Sequence, residues 1–137
     1  MQFTVDGHRL DVDTAVLDAP DERVRREVEA YLAGERREFS VAVDYPDGFT
    51  GDVMRAMAAI PYGETRTYGD LADDLDTGAV AVGQACGSNP TPMVVPCHRV
   101  VGADSLGGFS AAGGVEAKRA LLDLERGQRQ TDLGAFE

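Results

Sequence analysis

The chain has 137 residues, the length of one ordinary domain, and 43% of them are hydrophobic, which is enough to form a core. Acidic residues outnumber basic ones 24 to 13, and the net charge of −11 on its own argues against nucleic acid as a partner. No apolar run approaches the roughly 20 residues that span a bilayer, and the first residues lack the basic and apolar regions of a secretion signal. We therefore expect a cytoplasmic protein without a membrane partner.

The negative charge is distributed unevenly along the chain. Residues 1–48 hold 12 acidic residues and 6 arginines, whereas residues 77–122 hold two acidic and three basic residues, a net charge of +1. The acidity therefore ends where the most distinctive sequence begins. The remaining surface is typical of a protein adapted to high salt, as in a halophile, with an acidic soluble protein of a mesophile as the alternative.

The first part of the chain, residues 1–47, predicts a hairpin, a helix and a strand. The Asp-Gly pair at positions 6 and 7 favours a tight turn between two short strands, with His8 exposed in that turn. Apolar residues then recur at helical spacing from Pro20 to Gly34. Alternating apolar residues at 39–43 predict a short strand before a linker.

The middle of the chain predicts three helices, at residues 50–59, 67–75 and 79–86. The second opens on a sequence that resembles a capping box, and a short turn with a glycine joins it to the third. Two short helices joined in this way form a helix-turn-helix. Small residues in the third helix would let its backbone approach a partner closely, and close packing inside the core is the alternative. These small residues are Ala79, Ala81, Gly83 and Ala85.

The end of the chain predicts one further helix. A glycine-rich stretch, 102–114, precedes an amphipathic pattern over residues 115–126, and Gly127 is expected to end the helix. The last residues, 128–137, are expected to form a frayed tail.

The most distinctive stretch is 89–101, in which prolines on both sides of an apolar run lead directly into Cys97-His98. Prolines hold the backbone in a fixed path. The two cysteines and two histidines do not stand at the recognisable spacings of a structural zinc site. We therefore expect a free thiol at Cys97, no metal and no cofactor. A nucleophilic thiolate needs a nearby base, but neighbours in sequence do not automatically face each other, so this stretch alone leaves catalysis open.

Further motifs occur in a fixed order between about Phe49 and Gly127. They are Ile60-Pro61-Tyr62-Gly63-Glu64-Thr65, Thr67-Tyr68, Leu71-Ala72, Ala81-Val82-Gly83, Asn89-Pro90, Pro96-Cys97-His98-Arg99-Val100-Val101, and Gly113-Gly114 followed by Lys118, Leu121-Leu122 and Glu125. Together they resemble the O6-alkylguanine-DNA alkyltransferases, also called methylated-DNA–protein-cysteine methyltransferases. Glu27–Phe39 looks like the end of that family's N-terminal domain.

The resemblance implies an α+β fold. A mostly helical alkyltransferase domain with a winged-helix-like helix-turn-helix would span 48–127, after a short, reduced α/β region over 1–47 and before a tail over 128–137. It also implies direct-reversal DNA repair by a suicide enzyme, which transfers an alkyl group irreversibly from O6 of a flipped guanine to Cys97 in a single turnover. O4 of thymine is a second candidate substrate, and the partner would be double-stranded DNA carrying O6-alkylguanine, bound by a monomer.

The family's catalytic roles carry over to five residues. Cys97 would be the nucleophile, His98 the base acting through a water, and Glu125 the group that holds the other imidazole nitrogen. Tyr68 would donate to O6 of the leaving guanine, together with the backbone N–H of Ser110. Glu125 as a solvated charge and Tyr68 as a core tyrosine are the alternatives.

The family's binding roles carry over to a second set of residues. The carbonyls of Cys97 and Val100 would accept from the exocyclic amine of guanine, Asn89 would tie the helix-turn-helix to the cysteine turn, and Lys118 would lie near the pocket. Arg99 would contact DNA or serve as an ion-pair scaffold. The helix that enters the minor groove would present Ala79, Val80, Ala81 and Gly83.

The sequence departs from the family pattern at several places. Val80 stands where an arginine commonly fills the gap left by the flipped base, so we expect slower or weaker flipping. Ala111-Ala112 are additional residues near the pocket, and Phe109 replaces a usual tyrosine. A non-catalytic module that only binds the lesion is therefore the alternative function, although the presence of Cys97 disfavours it. A thiol hydrolase or redox protein lacks family support.

Overall fold

Within residues 1–103, 106 and 114–134, which the computed structural model describes (128–134 by their backbone alone), the chain forms five α-helices and six short strands. The strands form three separate two-stranded sheets. The predicted α+β class is confirmed. None of the helices in this part of the chain combines the length and the apolarity that crossing a membrane requires.

The chain begins with the predicted hairpin. Strands β1 (Gln2–Val5) and β2 (His8–Asp11) pair antiparallel around Asp6 and Gly7. Both turn residues have positive φ, 48° and 80°, as the tightest hairpin turns require. The expectation that His8 lies in the turn is wrong, because a two-residue turn leaves His8 as the first residue of β2.

The first helix, α1 (Asp21–Leu32), begins after Pro20, which stands at the N-cap position without a side-chain hydrogen bond to the helix. Strand β3 (Leu17–Asp18) precedes this helix and β4 (Ala42–Val43) follows it, and the two strands pair antiparallel. Of the strand predicted over 39–43, only the last two residues pair, since β3 offers just two residues as partners.

The predicted helix-turn-helix is present. Helix α2 (Phe49–Ala58) precedes α3 (Tyr68–Asp74) and α4 (Ala79–Gly87), and these three helices pack on one another. The capping box of α3 is confirmed, because Thr67 Oγ1 accepts from the N–H of Asp70 and the Thr67 N–H donates to the Asp70 carboxylate, both at 3.0 Å.

The last strand and the last described helix pack against the middle of the chain. Strand β5 (Arg66–Thr67) pairs parallel with β6 (Val100–Val101), and α5 (Gly114–Gly134) is the final helix. The prediction that Gly127 ends this helix is wrong. A glycine inside a helix costs only about 1 kcal/mol relative to alanine, which does not suffice to stop a long helix.

In the described part of the chain two hydrophobic clusters form the core, and the turn before Val100 contributes to both. Met93 and Val94 pack in the first cluster with β1, β2, α1 and α5. Val95, Cys97 and Val100 pack in the second cluster with α2, α3 and α4. The segment that carries the cysteine is therefore held between the two halves of the molecule.

Candidate active site

The candidate site begins at Cys97, the first residue of a 3-10 helix, Cys97–Arg99, that follows Pro96. The N–H of Cys97 donates to the Val95 carbonyl at 2.8 Å. The side chain of Asn89, just after α4, donates to the same carbonyl at 2.9 Å. These bonds tie the helix-turn-helix to the cysteine turn and leave Cys97 only 7% exposed.

His98 and Glu125 meet although 27 residues separate them. His98 Nε2 lies 2.6 Å from Glu125 Oε2, and both side chains are buried. A carboxylate cannot donate, so Nε2 carries the hydrogen and Nδ1 carries the lone pair. Among the described residues Nδ1 has no hydrogen-bond partner. The imidazole is thus held as a neutral base, and the alternative of a solvated Glu125 is excluded.

Glu125 also accepts hydrogen bonds from three other residues. Arg99 donates from Nε to Oε1 and from Nη2 to Oε2, both at 2.9 Å. The Gly63 N–H donates to Oε1 at 3.0 Å, and the Tyr31 hydroxyl donates to Oε2 at 2.5 Å. Arg99 in turn donates to the Ile60 carbonyl at 2.7 Å. Arg99 is therefore a buried ion-pair scaffold, the second of its two predicted roles.

Burial sets the protonation states of these groups. It raises the pKa of Cys97 to about 11, although the Lys118 charge acts in the opposite direction. It lowers the pKa of His98, even though Glu125 favours the charged imidazole. Burial alone would raise the pKa of Glu125, but hydrogen bonds from His98 and the neighbouring guanidinium hold it well below its usual value. The resting site is a neutral thiol, a neutral imidazole and an ionised carboxylate.

Lys118 brings together two other residues singled out from the sequence. Its Nζ donates to the Val100 carbonyl at 2.6 Å and to the Tyr68 hydroxyl at 3.3 Å. Burial lowers the pKa of Lys118 and raises the pKa of Tyr68. The negative charge of a Cys97 thiolate would raise the pKa of Tyr68 further. Ser110, predicted to contribute a backbone N–H, lies outside the described residues.

The outer face of α4 is exposed and carries no charged side chain. Val80 is 77% exposed, and a Cβ built on Gly83 would meet no atom within 4 Å. Ala79 is exposed and Ala81 half-buried, whereas Ala85 is buried in the core. The four small residues therefore do not form one face, since residues two apart point in nearly opposite directions on a helix.

Sequence reasoning missed Tyr31 and Gly63 as parts of the site. Tyr31 lies on the buried side of α1 with Val24, Glu27 and Val28. The need of a buried hydroxyl for a partner is the signal that could have singled it out. Cys86 is buried as predicted, and burial raises its pKa to about 12. No cluster of three or more metal-ligating side chains occurs among the residues that the structure describes.

Comparison with known proteins supports one family. The family model described as "6-O-methylguanine DNA methyltransferase, DNA binding domain" matches residues 48–127. The methylated-DNA–protein-cysteine methyltransferase of Mycobacterium tuberculosis (strain H37Rv) is 46% identical over 115 residues, which cover 81% of this chain and 68% of that protein. The inducible enzyme of the same name from Bacillus subtilis (strain 168) is 46% identical over 104 residues, covering 73% and 57%.

A solved structure agrees with the sequence comparison. The crystal structure of Mycobacterium tuberculosis OGT in complex with DNA matches with a TM-score of 0.74 at 37% identity, and the match covers 88% of this chain and 87% of that one. Because the family model spans more than half of the chain and the relatives share its sequence and fold, this chain belongs to the 6-O-methylguanine DNA methyltransferase family.

Proposed function

We propose that this chain repairs DNA by direct reversal, transferring a methyl or larger alkyl group from O6 of guanine to Cys97 once per molecule. One observation carries the proposal: Cys97 is followed by a buried imidazole whose Nε2 is bound to Glu125 and whose Nδ1 is free among the described residues. Relatives named as methyltransferases favour this function over a module that only binds the lesion.

The base is needed because the thiol is protonated at rest. Burial raises the pKa of Cys97 to about 11, so Cys97 is almost entirely a protonated thiol at pH 7. We infer that His98 Nδ1 takes the thiol proton through a water. The sulfur then attacks the alkyl carbon, the carbon–oxygen bond breaks with its electrons passing to guanine, and a thioether forms. Guanine gains a proton from the Tyr68 hydroxyl, which leaves a phenolate beside Lys118 and an imidazolium at His98. The phenolate then regains a proton from water while the imidazolium releases the thiol proton, so both side chains return to their resting state.

Guanine recognition would use the backbone around the cysteine turn. The Cys97 and Val100 carbonyls would accept from the exocyclic amine. Lys118 already donates to the Val100 carbonyl, and this oxygen has a second lone pair for the base. Ser110 would supply a backbone N–H to O6.

DNA would be bound through α4. A relative solved in complex with DNA supports DNA as the partner. Val80, exposed at the start of α4, would act as an apolar wedge in the minor groove while the damaged nucleotide is flipped out. Contacts would be mainly to the DNA backbone, with weak sequence preference. We propose that the protein acts as a cytoplasmic monomer.

Mass spectrometry of the Cys97 peptide tests the proposal. The protein is incubated with double-stranded DNA carrying O6-methylguanine in high salt, digested and weighed. We expect the mass gain of one methyl group on Cys97, at no more than one equivalent per protein. Cys97→Ala should gain nothing, and the matched control Cys86→Ala should react like the wild type. Binding without a mass gain, or turnover beyond one equivalent, would contradict the proposal.

A further inference from the structure

One side chain of the candidate site comes from outside the family-model match. Tyr31 lies on α1, before residue 48, and its hydroxyl reaches both partners of the buried pair. The hydroxyl donates to Glu125 Oε2 at 2.5 Å and lies 3.2 Å from His98 Nε2. The side chain is fully buried. Its ring packs edge-on against Tyr62, with ring centroids 6.1 Å apart.

We propose that Tyr31 is a positioning residue for alkyl transfer, whose hydroxyl holds the Glu125 carboxylate against His98 so that Nδ1 remains the free basic nitrogen. The proposal rests on the proposed function and assigns the N-terminal region a part in it. Tyr31 acts through Glu125 and His98, which stand between it and the thiol in the hydrogen-bond chain.

The proton inventory supports this role. A phenol has one proton, and the ionised carboxylate is the acceptor nearest to it. Burial, followed by the charge of Glu125, raises the pKa of Tyr31 well above its usual value, so the hydroxyl remains a donor throughout the neutral range. Glu125 Oε2 also accepts from His98 Nε2–H. The hydrogen bond from Tyr31 therefore restricts rotation of the Glu125 carboxylate and reduces the negative charge that Oε2 presents to the imidazole.

Removing the hydroxyl has a predictable direction. Without the phenol, more negative charge stays on Oε2, the charged imidazole is favoured, and the pKa of His98 rises. The other charged or titratable groups around the pair remain in place. They are Arg99 beside the pair, Lys118 on α5 and Tyr62 in the turn after α2.

Tyr62 provides a matched control. It belongs to the same aromatic cluster, and its buried hydroxyl has no hydrogen-bond partner among the described residues. Tyr62→Phe therefore removes the same atom as Tyr31→Phe, from the neighbouring ring, without removing a bond to Glu125.

The first measurement is the single-turnover rate of alkyl transfer as a function of DNA concentration. Because the bond is to a charged group, we expect Tyr31→Phe to slow transfer at saturating DNA about tenfold. The half-saturating DNA concentration should stay unchanged, and Tyr62→Phe should stay within about twofold of the wild type in both. A merely structural role would not separate rate from affinity in this way. Equal rates in the two variants would overturn the proposal.

The second measurement does not depend on alkyl transfer. The chain has two histidines, so ¹⁵N NMR can follow the tautomer and the pKa of His98, with His8→Gln for assignment. We expect hydrogen on Nε2 in the wild type and a raised pKa of His98 in Tyr31→Phe only. An unchanged pKa would overturn the positioning role. A wild type that transfers no alkyl group would instead contradict the proposed function, and the NMR comparison would still decide the role of Tyr31.

A substitution that retains both the ring and the hydroxyl tests the proposal even if Tyr31→Phe does not fold. 3-Fluorotyrosine at position 31 keeps the hydroxyl but makes it a stronger donor. It should lower the pKa of His98, and the absence of any shift would overturn the proposal.

Discussion

At the scale of single residues, Glu125 holds the site together. Its two oxygens accept from Tyr31, Gly63, His98 and Arg99, which belong to three separate stretches of the chain. Because Arg99 is only 7% exposed, water could solvate just a small part of its guanidinium if the carboxylate were absent. The ion pair therefore supports the imidazole, and removing its carboxylate charge alone leaves a buried cation without compensation.

Glu125→Gln is expected to lower the free energy of unfolding by about 3–5 kcal/mol, because it leaves the buried Arg99 cation uncompensated. Urea unfolding monitored by circular dichroism measures this loss, and the same variant should transfer alkyl groups slowly because His98 loses its orienting charge.

Glu27→Gln is the control for this prediction. Glu27 is buried as well, but its partners Arg23 and Arg36 are 41% and 37% exposed and can turn to water. The expected loss is about 1 kcal/mol, that of an ordinary hydrogen bond. An equal loss of unfolding free energy in the two variants would show that burial of the partner cation does not determine the effect.

The sequence permits some of these residues to be predicted and hides others. Cys97, His98 and Glu125 stand in motifs of fixed order, so the resemblance alone singles them out. Tyr31 does not, because its bond to Glu125 spans 94 residues and depends on how α1 packs against α5. The role of Arg99 stayed open in the sequence, since only the fold decides whether a cation points to solvent or to a carboxylate.

At the scale of elements, α4 combines a core-facing and a solvent-facing side. Val82, Ala85 and Cys86 are buried, whereas Val80 and Gln84, one turn apart, are exposed. The proposed DNA-facing side of this helix thus carries no positive charge.

Val80→Arg is expected to speed alkyl transfer from duplex DNA several-fold, because a cationic side chain would add attraction to phosphate while still filling the gap in the base stack. Single-turnover kinetics with the lesion in double-stranded DNA measure this gain. Gln84→Arg adds the same charge one turn later and should strengthen DNA binding without speeding transfer. Equal acceleration by both variants would mean that charge alone, and not the position of the wedge, limits the reaction.

Element prediction from the sequence succeeds where local chemistry decides. The hairpin turn and the capping box follow from residue types that satisfy backbone groups or accept positive φ within a few positions. The pairs β3–β4 and β5–β6 are two residues long and lie far apart in sequence, so tertiary packing decides them. The end of α5 was misplaced because one glycine weighs little against a long helix.

At the scale of the whole molecule, a net charge of −11 is unusual for a protein expected to approach DNA. Counterion release, which normally drives such binding, requires cations on the contact surface. Two of the basic residues near the site, Arg99 and Lys118, are buried and engaged with protein groups. Shape, the wedge and the pocket must therefore supply most of the binding free energy.

The affinity for DNA is accordingly expected to depend weakly on salt. Each neutralised phosphate contributes a slope of about −0.9 to the plot of log affinity against log salt concentration, and we expect a total slope shallower than about −2. Fluorescence anisotropy with labelled duplex DNA measures it between about 0.1 and 1 M salt, a range over which the screening length falls to about 3 Å. A slope of about −6 or steeper would contradict the expectation and the halophile hypothesis that accompanies it.

The hydroxyl of Tyr31 has a consequence for how such a chain can diverge. Much of α1 faces solvent and is free to vary in charge, which is where an acidic surface can accumulate. Position 31 is hydrogen-bonded to Glu125 across the molecule, so selection for the proposed reaction also acts on a helix whose other buried residues serve the fold. The exposed surface of α1 can change in charge without affecting the candidate site, whereas a mutation that displaces the Tyr31 hydroxyl is exposed to selection on the reaction.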